Sequence, residues 1–532
     1  MFDLVIRGGE LVDGTGSRRH PVDVGVRDGR VAAIGDLSVA AGAQTIDAAG
    51  RIVAPGFVDL HTHSDYTIIS DPRAQSAVRQ GTTTHVIGNC GMSPSPAPAA
   101  RAAEVRAAVN VVDPDPAVRV TWSDLPGYAA AVESVRPALN VAPLVGHVTL
   151  RVAAEGNTAG PATPEGRAEM VRLLEAALEA GAPGLSTGLM YPPAMYADRA
   201  ELEALGRAVA ARDRLFAVHM RNYNDHLLEA VDEAIDVARA TGCRLQLSHM
   251  AVAGRRNWGK VPQALERIDA ARRDGLDVAT DIYPYVAGSA NLSQLLPDWA
   301  QAGGTDTIVA RLSSREDRRR IVAEWRESLF FGWDEVEIAL VDPGMEADLG
   351  RTVAAAAETR GTDPSEAALD LIRDTENRVI MVAYGRSEDD LRAVLRHAAT
   401  SIGSDGLAMD PNGPSGAGRP HPRSFGCYPR FLGRYVRDEG LIDLETAIAM
   451  CTSRPADRAG LRDRGRIVEG AAADIVVFDA ATIVDRATFR EPHQFPVGIE
   501  AVVVNGALVV EGDVQHADRR NGHVLEARSP RA

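Results

Sequence analysis

The sequence predicts an α/β fold: a (β/α)₈ barrel of the TIM type with a small β-sandwich domain formed by the N- and C-terminal segments. Three observations support this prediction. The chain has 532 residues, too many for one simple core. Both of its ends consist of short β runs separated by turns, and its middle alternates apolar strands with helical segments, a pattern typical of parallel sheets.

The two ends of the chain predict the sandwich. Near the N-terminus, DLVIRGGELVDG and VDVGVRDGRVAAIG alternate β runs with glycine-containing turns, and GRIVEGAAADIVVFDA and GIEAVVVNGALVVEGDV do the same near the C-terminus. We therefore expect residues 1–54 and 462–532 to pair into one β-sandwich domain.

The middle of the chain, residues 55–461, predicts the barrel. Segments with helical composition, such as GRAEMVRLLEAALEAG, separate eight candidate strands: IVAPGFVDLHTH, TTTHVIGNC, ALNVAPLVGH, APGLSTGLMY, RLFAVHMR, RLQLSHM, DVATDIYPY and TSIGSDG. Two stretches have the character of insertions. A charged stretch at about 290–345 is expected to form a helical cap, and the Gly/Pro-rich loop 407–423 is expected to act as a mobile lid.

Composition disfavours several kinds of partner. The net charge of −16 argues against nucleic acid, which needs a basic surface, and against a polybasic membrane anchor. No stretch approaches the roughly 20 apolar residues of a spanning helix, and the N-terminus lacks signal-peptide character. Four cysteines do not make a disulfide framework. We therefore expect a cytoplasmic location with no membrane partner, and the oligomeric state stays open, a homo-oligomer included.

Metal-binding residue types occur where the candidate barrel strands end. These residues are His61 and His63 in strand one, Cys90 in strand two, His147 in strand three, His219 in strand five, His249 in strand six and Asp405 in strand eight. Barrel enzymes hold their active sites at the C-terminal strand ends. Residues two apart on a strand point to the same side, so His61 and His63 could reach one ion. A lone histidine is more often a hydrogen-bonded core residue, but the joint set predicts a metal site.

The motifs also resemble a known family. GFVDLHTHSD, QGTTTHVIGNCGMSPSP, GHVTLR, STGLMYPP, VHMRN, LSHM, DIYPYVAGS and SIGSDG occur in the order found in the amidohydrolase superfamily, and the resemblance is greatest to the D-aminoacylase (N-acyl-D-amino-acid deacylase) family. It extends from the N-terminal strands to about residue 510.

The position of the only lysine helps to distinguish the D-aminoacylase family from other amidohydrolases. Many amidohydrolases bridge two metals with a carboxylated lysine on strand four, but the only lysine here is Lys260, and GLSTGLMYPP contains none. D-aminoacylases use a cysteine at the end of strand two, which Cys90 matches, and zinc accepts mixed His/Cys ligands. The resemblance implies that Cys90, His219 and His249 hold one tight Zn²⁺ and that His61 and His63 form a second, weaker site with Cys90. Cys243, Cys427 and Cys451 are expected to be structural.

The resemblance also implies the reaction and the substrate contacts. Zinc-dependent hydrolysis of N-acyl-D-amino acids, or related N-acyl compounds, would use Asp405 as general acid/base. Arg423 in the His-Pro-Arg loop matches the residue that holds the substrate carboxylate. The other substrate-binding residues implied by position are Tyr283, Ser289, Tyr191 and His147.

Two departures leave the substrate open. The family commonly has a lysine where this chain has Ala251 and a glutamate where it has Tyr223, so positive and negative charge are lost near the active-site mouth. The alternatives are another amidohydrolase reaction, such as cyclic-amide or carbamate hydrolysis, and a barrel scaffold that has lost catalysis. The missing strand-four lysine counts against the first, and the intact ligand set counts against the second.

Overall fold

Eight parallel strands form the centre of the computed structural model, which describes residues 1–113, 115 and 117–527. In chain order they are β1 (Phe57–Asp59), β2 (Thr82–Ile87), β3 (Asn140–Pro143, continued by Val145–Gly146), β4 (Gly184–Gly188), β5 (Leu215–His219), β6 (Arg244–Leu247), β7 (Val278–Ile282) and β8 (Thr400–Ile402). β1 to β3 form one sheet, and Val145–Gly146 with β4 to β8 forms another. A parallel bridge from Thr62 to Gly406 joins the segments after β1 and β8.

Helices connect these strands and bury one face against them. They include Gln75–Val78, Ala102–Val109, Leu125–Val135, His147–Glu155, Pro164–Glu179, Arg199–Ala210, Leu227–Thr241, Val261–Arg273, Glu388–Arg396, Arg423–Arg430, Leu444–Cys451 and Ser453–Arg458. Leu227–Thr241 shows why such segments are helical: its buried residues recur at the spacing of one helical face. Gly242 ends it at φ +73°, a left-handed conformation that glycine adopts without strain.

Strands from both ends of the chain form two further sheets. One contains Phe2–Arg7, Asp23–Arg27, Arg30–Gly35 and Gly42–Asp47; the other contains Glu10–Leu11, His20–Pro21, Ile52–Pro55, Ile475–Phe478, Ile499–Val504, Ala507–Glu511 and Val514–Gln515. A single buried cluster, which includes Leu4, Val26, Val53, Val477 and Val503, draws side chains from both sheets. Ile52–Pro55 pairs antiparallel with Ile475–Phe478, so strands from both ends of the chain share one sheet. Residues 528–532 of the predicted C-terminal segment lie outside the described residues.

A long insertion separates β7 from β8 and differs from the helical cap expected over about 290–345. Its strands Ala287–Asn291, Val336–Leu340 and Ile380–Tyr384 form an antiparallel sheet. Its helices are Asp298–Gln301, Gly304–Ser313, Arg315–Ser328, Val353–Arg360 and Pro364–Asp374. An apolar cluster of its own, which includes Leu312, Trp325, Ile338 and Met381, holds these elements together. The insertion is therefore longer than expected and contains a sheet.

The Gly/Pro-rich loop 407–423 lies between the ends of the parallel strands and this insertion. The backbone N–H of Arg419 donates to the carbonyl of Ala339 at 2.7 Å, and His421 Nε2 lies 3.1 Å from the carbonyl oxygen of Ala287. The loop is thus hydrogen-bonded to the sheet of the insertion. Within the described part of the chain, no helix has the length and apolar character needed to cross a membrane.

Candidate active site

A cavity of about 280 Å³ opens at the C-terminal ends of the parallel strands. The strand ends contribute one wall, the insertion contributes a second through residues such as Leu295, Phe330 and Leu340, and loop 407–423 contributes a third. This is the end of a parallel α/β barrel where catalytic residues are found.

Six of the predicted site residues come together, and all of them except His61 line this cavity. His61 and His63 follow β1, Cys90 follows β2, His219 ends β5, His249 follows β6 and Asp405 follows β8. Two overlapping groups place one ligand atom from each member within 4.8 Å of the others: His61 with His63 and Cys90, and Cys90 with His219 and His249. Cys90 belongs to both groups, so its sulfur is the ligand atom that the two groups share.

The imidazoles in this cluster are buried without the partners that buried polar groups normally have. Neither ring nitrogen of His219 has a hydrogen-bond partner among the described residues, and the same holds for Nδ1 of His63. Cys90 Sγ lies 3.3 Å from His61 Nε2 and 3.7 Å from His249 Nε2. Because an unpartnered buried polar group is costly and zinc binds imidazole and thiolate together, the donor set fits a zinc ion.

Three members of the cluster have strained backbone. The φ angles of Cys90, His249 and Asp405 are +53°, +35° and +51°. Non-glycine residues rarely adopt this left-handed region, and those that do cluster at functional sites. The strain turns each side chain inward at the point where its strand ends.

Charge interactions favour the thiolate of Cys90. Burial raises the pKa of its thiol, but the positive charges of His61 and His219 and the hydrogen bond with His249 lower it more, so the net pKa lies well below its ordinary value. For His61, burial lowers the pKa, and the charges of Cys90 and Asp281 raise it by more. The thiolate is the form of cysteine that binds metals.

Asp405 lies between the histidines and an arginine. Its Oδ1 is 2.9 Å from His63 Nε2, and its Oδ2 is 2.7 Å from Arg423 Nη1. Burial raises the pKa of this carboxyl, but the charge of Arg423 and the hydrogen bond with His63 lower the pKa by more. The net pKa is therefore well below its usual range. Asp405 is therefore held as a carboxylate, the form able to accept a proton.

Asp281 is a residue of the site that the sequence analysis did not single out. It lies on β7, where its Oδ1 accepts a hydrogen bond from the backbone N–H of His249 at 2.7 Å and lies 3.3 Å from His61 Nδ1. Its Oδ2 accepts from Gln246 Nε2 at 2.8 Å. A carboxylate behind a metal-binding histidine orients the ring. The sequence does contain a signal for Asp281. It stands near the end of the apolar strand DVATDIYPY, and a carboxylate buried at such a position needs a polar partner.

Four predicted substrate-binding residues line the cavity: Arg423, Tyr283, Ser289 and Tyr191. The Arg423 guanidinium carbon lies 4.7 Å from the centre of the Tyr283 ring. The Tyr191 ring centre is 4.9 Å from that of His219. Ser289 lies on the insertion strand Ala287–Asn291, so the cavity joins polar groups from the parallel strands and the insertion.

His147 does not belong with them, which corrects the prediction that it binds substrate. The side chain is fully buried away from the cavity lining. Its Nδ1 lies 2.8 Å from Thr187 Oγ1 and its Nε2 lies 2.6 Å from Glu201 Oε1. Both ring nitrogens already have partners, so His147 is a hydrogen-bonded core histidine.

The structure also shows where Tyr223 and Ala251, the two departures from the family pattern, and the single lysine, Lys260, lie relative to the cavity. Tyr223 lines the cavity, with its ring centre 4.9 Å from that of His219 and 5.0 Å from that of His249. Ala251 is buried. Lys260 donates to the carbonyl of Asp225 at 2.9 Å and to Asn257 Oδ1 at 2.7 Å, outside the cavity lining. Cys243, Cys427 and Cys451 are buried and free.

Comparison with known proteins agrees with this geometry. The sequence model of the Amidohydrolase family matches residues 44–510. An N-acyl-D-glutamate deacylase of Alcaligenes xylosoxydans xylosoxydans is 41% identical over 508 residues, which cover 96% of this chain and 93% of the relative.

Solved structures match over almost the whole length. The crystal structure of an N-acyl-D-glutamate deacylase from Bordetella bronchiseptica, with zinc and a phosphonate mimic of the tetrahedral intermediate, has 38% identity and a TM-score of 0.83, covering 99% of this chain and 100% of that one. A D-aminoacylase studied for one-metal activation and second-metal attenuation of its binuclear centre has 33% identity and a TM-score of 0.81, with the same coverage. The chain therefore belongs to the amidohydrolase family, and within it to the D-aminoacylase family.

Proposed function

We propose that this protein is a zinc-dependent hydrolase that cleaves the amide bond of N-acyl-D-amino acids to a carboxylate and a free amine. The observation that carries the proposal is the buried cluster of His61, His63, Cys90, His219 and His249 beside Asp405, at the floor of a cavity with arginine and tyrosine on its wall. Membership of a family whose similar relatives are deacylases of N-acyl-D-amino acids supports the same reaction.

Cys90, His219 and His249 would hold one tight zinc ion, and His61 and His63 would share Cys90 in a second, weaker site. When bound, zinc supplies Lewis-acid chemistry: it polarises an amide carbonyl and makes water acidic enough to attack near neutral pH. The compact donor groups support this assignment. The zinc-containing relative and the binuclear centre of the D-aminoacylase support a divalent ion and two neighbouring positions.

Asp405 would transfer the proton. As a buried carboxylate it accepts a proton from the attacking water and then donates it to the departing nitrogen, which is a poor leaving group until it is protonated. Its position, with the histidine cluster on one side and Arg423 on the other, supports this role.

Arg423 would bind the α-carboxylate of the substrate through its planar guanidinium. The ring of Tyr283 beneath that guanidinium and the hydroxyl of Ser289 would complete the pocket, and Tyr191 would close it next to His219. Arg423 also pairs with Asp405, so substrate binding would exchange one carboxylate partner for another.

The proposal also covers how the chain is divided into domains. The eight parallel strands would close into a barrel over residues 55–461, and residues 1–54 with 462–532 would form a separate β-sandwich domain. The bridge between Thr62 and Gly406 and the shared cluster of the terminal sheets support these two statements. A cytoplasmic location and assembly into a homo-oligomer stay predictions from the sequence.

The experiment that tests the function measures zinc content and turnover on one purified sample. We expect about one tightly held zinc ion per chain and hydrolysis of N-acetyl-D-amino acids in preference to their L-enantiomers and to cyclic imides. Turnover of cyclic imides alone would favour the alternative amidohydrolase reaction. A protein with no zinc, and no activity after zinc is added, would favour a scaffold without catalysis.

A further inference from the structure

A second arginine, Arg386, lies on the cavity wall and has no role in the mechanism above. It follows the insertion strand Ile380–Tyr384 and lines the same cavity as Arg423. Its Nη1 is buried without a hydrogen-bond partner. Among residues 1–113, 115 and 117–527, its side chain makes no ion pair. A buried guanidinium nitrogen in that state is costly unless something binds to it.

Both arginines of the cavity lie against the ring of Tyr283. The guanidinium carbon of Arg386 lies 4.9 Å from the centre of the Tyr283 ring, and that of Arg423 lies 4.7 Å from it. The two cations are therefore less than about 10 Å apart. One small molecule with two carboxylates can contact both, because each charge-assisted hydrogen bond spans only ~2.8 Å.

Gly288 leaves room for the guanidinium of Arg386. Any larger residue at this position would crowd it, because a Cβ there would lie only 2.9 Å from Arg386 Nη2. Ala251 and Arg386 line one small neighbouring cavity of about 10 Å³. Ala251 is the position where the family commonly has a lysine, so Arg386 puts a positive charge next to the place where one is missing.

The described cavity lining contains two carboxylates, and neither neutralises Arg386. Asp405 pairs with Arg423 and His63. Asp113 accepts hydrogen bonds from the backbone N–H groups of Tyr66 and Thr67. No carboxylate of the described cavity lining is therefore left to balance the charge of Arg386, which leaves it free to bind an anionic ligand.

We propose that Arg386 binds a second carboxylate of the substrate, so that the preferred substrates are N-acyl-D-amino acids with an acidic side chain. This inference rests on the proposed deacylase function, in which Arg423 holds the α-carboxylate. Arg386 then selects the side chain, and the contact of both arginines with the Tyr283 ring limits the spacing of the two anionic groups.

The test compares N-acetyl-D-glutamate with N-acetyl-D-glutamine, which has nearly the same shape but lacks the second charge. We expect wild-type kcat/KM to favour the glutamate substrate and Arg386→Met to lower the glutamate-to-glutamine ratio by about 10- to 100-fold, as for a lost hydrogen bond to a charged group. Arg386→Lys should restore part of the ratio, because it returns the charge without the planar fork.

Arg255→Met is the matched control. Arg255 is also an arginine near an aromatic ring, 5.4 Å from the centre of Trp258, but its side chain is 71% exposed and pairs with Glu335. The glutamate-to-glutamine ratio should stay at the wild-type value in this variant. An Arg386→Met enzyme with the wild-type ratio, or with equal losses on both substrates, would overturn the proposal.

A binding measurement separates this inference from the deacylase function. If the wild-type enzyme hydrolyses neither substrate, the proposed function fails, and calorimetry with glutarate and its monoamide decides the role of Arg386. Tighter wild-type binding of glutarate that Arg386→Met abolishes would support a dicarboxylate site. Equal binding of the two compounds by the wild-type protein would refute it.

Discussion

At the scale of single residues, Asp405 has the surroundings that bear most directly on the reaction. We expect Asp405→Asn to keep its zinc and to lower kcat by about 10³-fold, within the range that general acid/base catalysis contributes. Asparagine tolerates the left-handed backbone at this position (φ +51°), so the change removes proton transfer without adding strain. Stopped assays and metal analysis of the same sample measure both effects.

Asp410→Asn is the control for that substitution. Asp410 lies nearby in loop 407–423, outside the cavity lining, and pairs with Arg73. Its variant should keep a rate within a few-fold of the wild type. A near-normal rate for Asp405→Asn would remove Asp405 from the acid/base role.

Cys90 is the residue shared by both predicted metal sites. We expect Cys90→Ala to lose most of the bound zinc, because the sulfur is the ligand atom common to the two groups. Cys243→Ala, another buried free cysteine, should retain zinc. Unchanged zinc in Cys90→Ala, measured by atomic absorption after dialysis, would contradict the ligand assignment.

The sequence identified those residues that stand at strand ends, and it missed those defined by distant partners. His61, His219 and His249 could be found because a strand ending in a metal-binding residue type is visible locally. Asp281 and Arg386 could not be assigned roles, because their functions depend on His61 and Tyr283, far away in the chain. His147 was misjudged for the same reason, since its partner Glu201 lies 54 residues further on.

At the scale of secondary-structure elements, a buried ion-pair group joins two helices. Glu201 on Arg199–Ala210 pairs with His147 and Arg151 on His147–Glu155, at 2.6 Å and 2.8 Å. We expect Glu201→Gln to lower the free energy of unfolding by about 3 kcal/mol, because it leaves Arg151 buried without its counter-charge. Thermal unfolding measures this change, and zinc content should stay constant.

The effect of Glu201→Gln should depend on pH. Burial raises the pKa of the Glu201 carboxyl, but His147 and Arg151 lower it by more, so the net pKa lies below its usual 4.5. The stabilising contribution is therefore complete above about pH 4.5 and is lost as the pH falls through the lowered pKa. Glu203→Gln, in the exposed pairs with Arg199 and Arg207, should leave the melting temperature almost unchanged. An equal effect of both variants would contradict the prediction.

Elements with a regular pattern were predictable, and the sheet of the insertion was not. The parallel strands alternate with helices, and local composition reveals that alternation. The strand Ala287–Asn291, AGSAN, has little β character, and its partner Ile380–Tyr384 is some ninety residues distant. Its strand character comes from tertiary pairing, which overrides a weak local preference.

At the scale of the whole molecule, metal binding should stabilise the fold. Cys90, His219 and His249 come from three different strand ends, so an ion bound to them ties β2, β5 and β6 together. We expect zinc at ~1,000 times its Kd to raise the free energy of unfolding by about 4 kcal/mol. Melting curves with chelator and after zinc is restored measure this. The Cys90→Ala protein should show no such response, and an equal response in it would place the stabilising ion elsewhere.

The insertion between β7 and β8 has an apolar core of its own, yet it forms one wall of the cavity. The parallel strands instead position the residues that we propose as zinc ligands. Mutations that reshape the insertion wall act on different packing contacts from those that hold the histidines, and distant sites contribute to stability nearly independently. The fold can therefore acquire new side-chain and acyl preferences by changes in one segment while its hydrolytic centre is inherited intact.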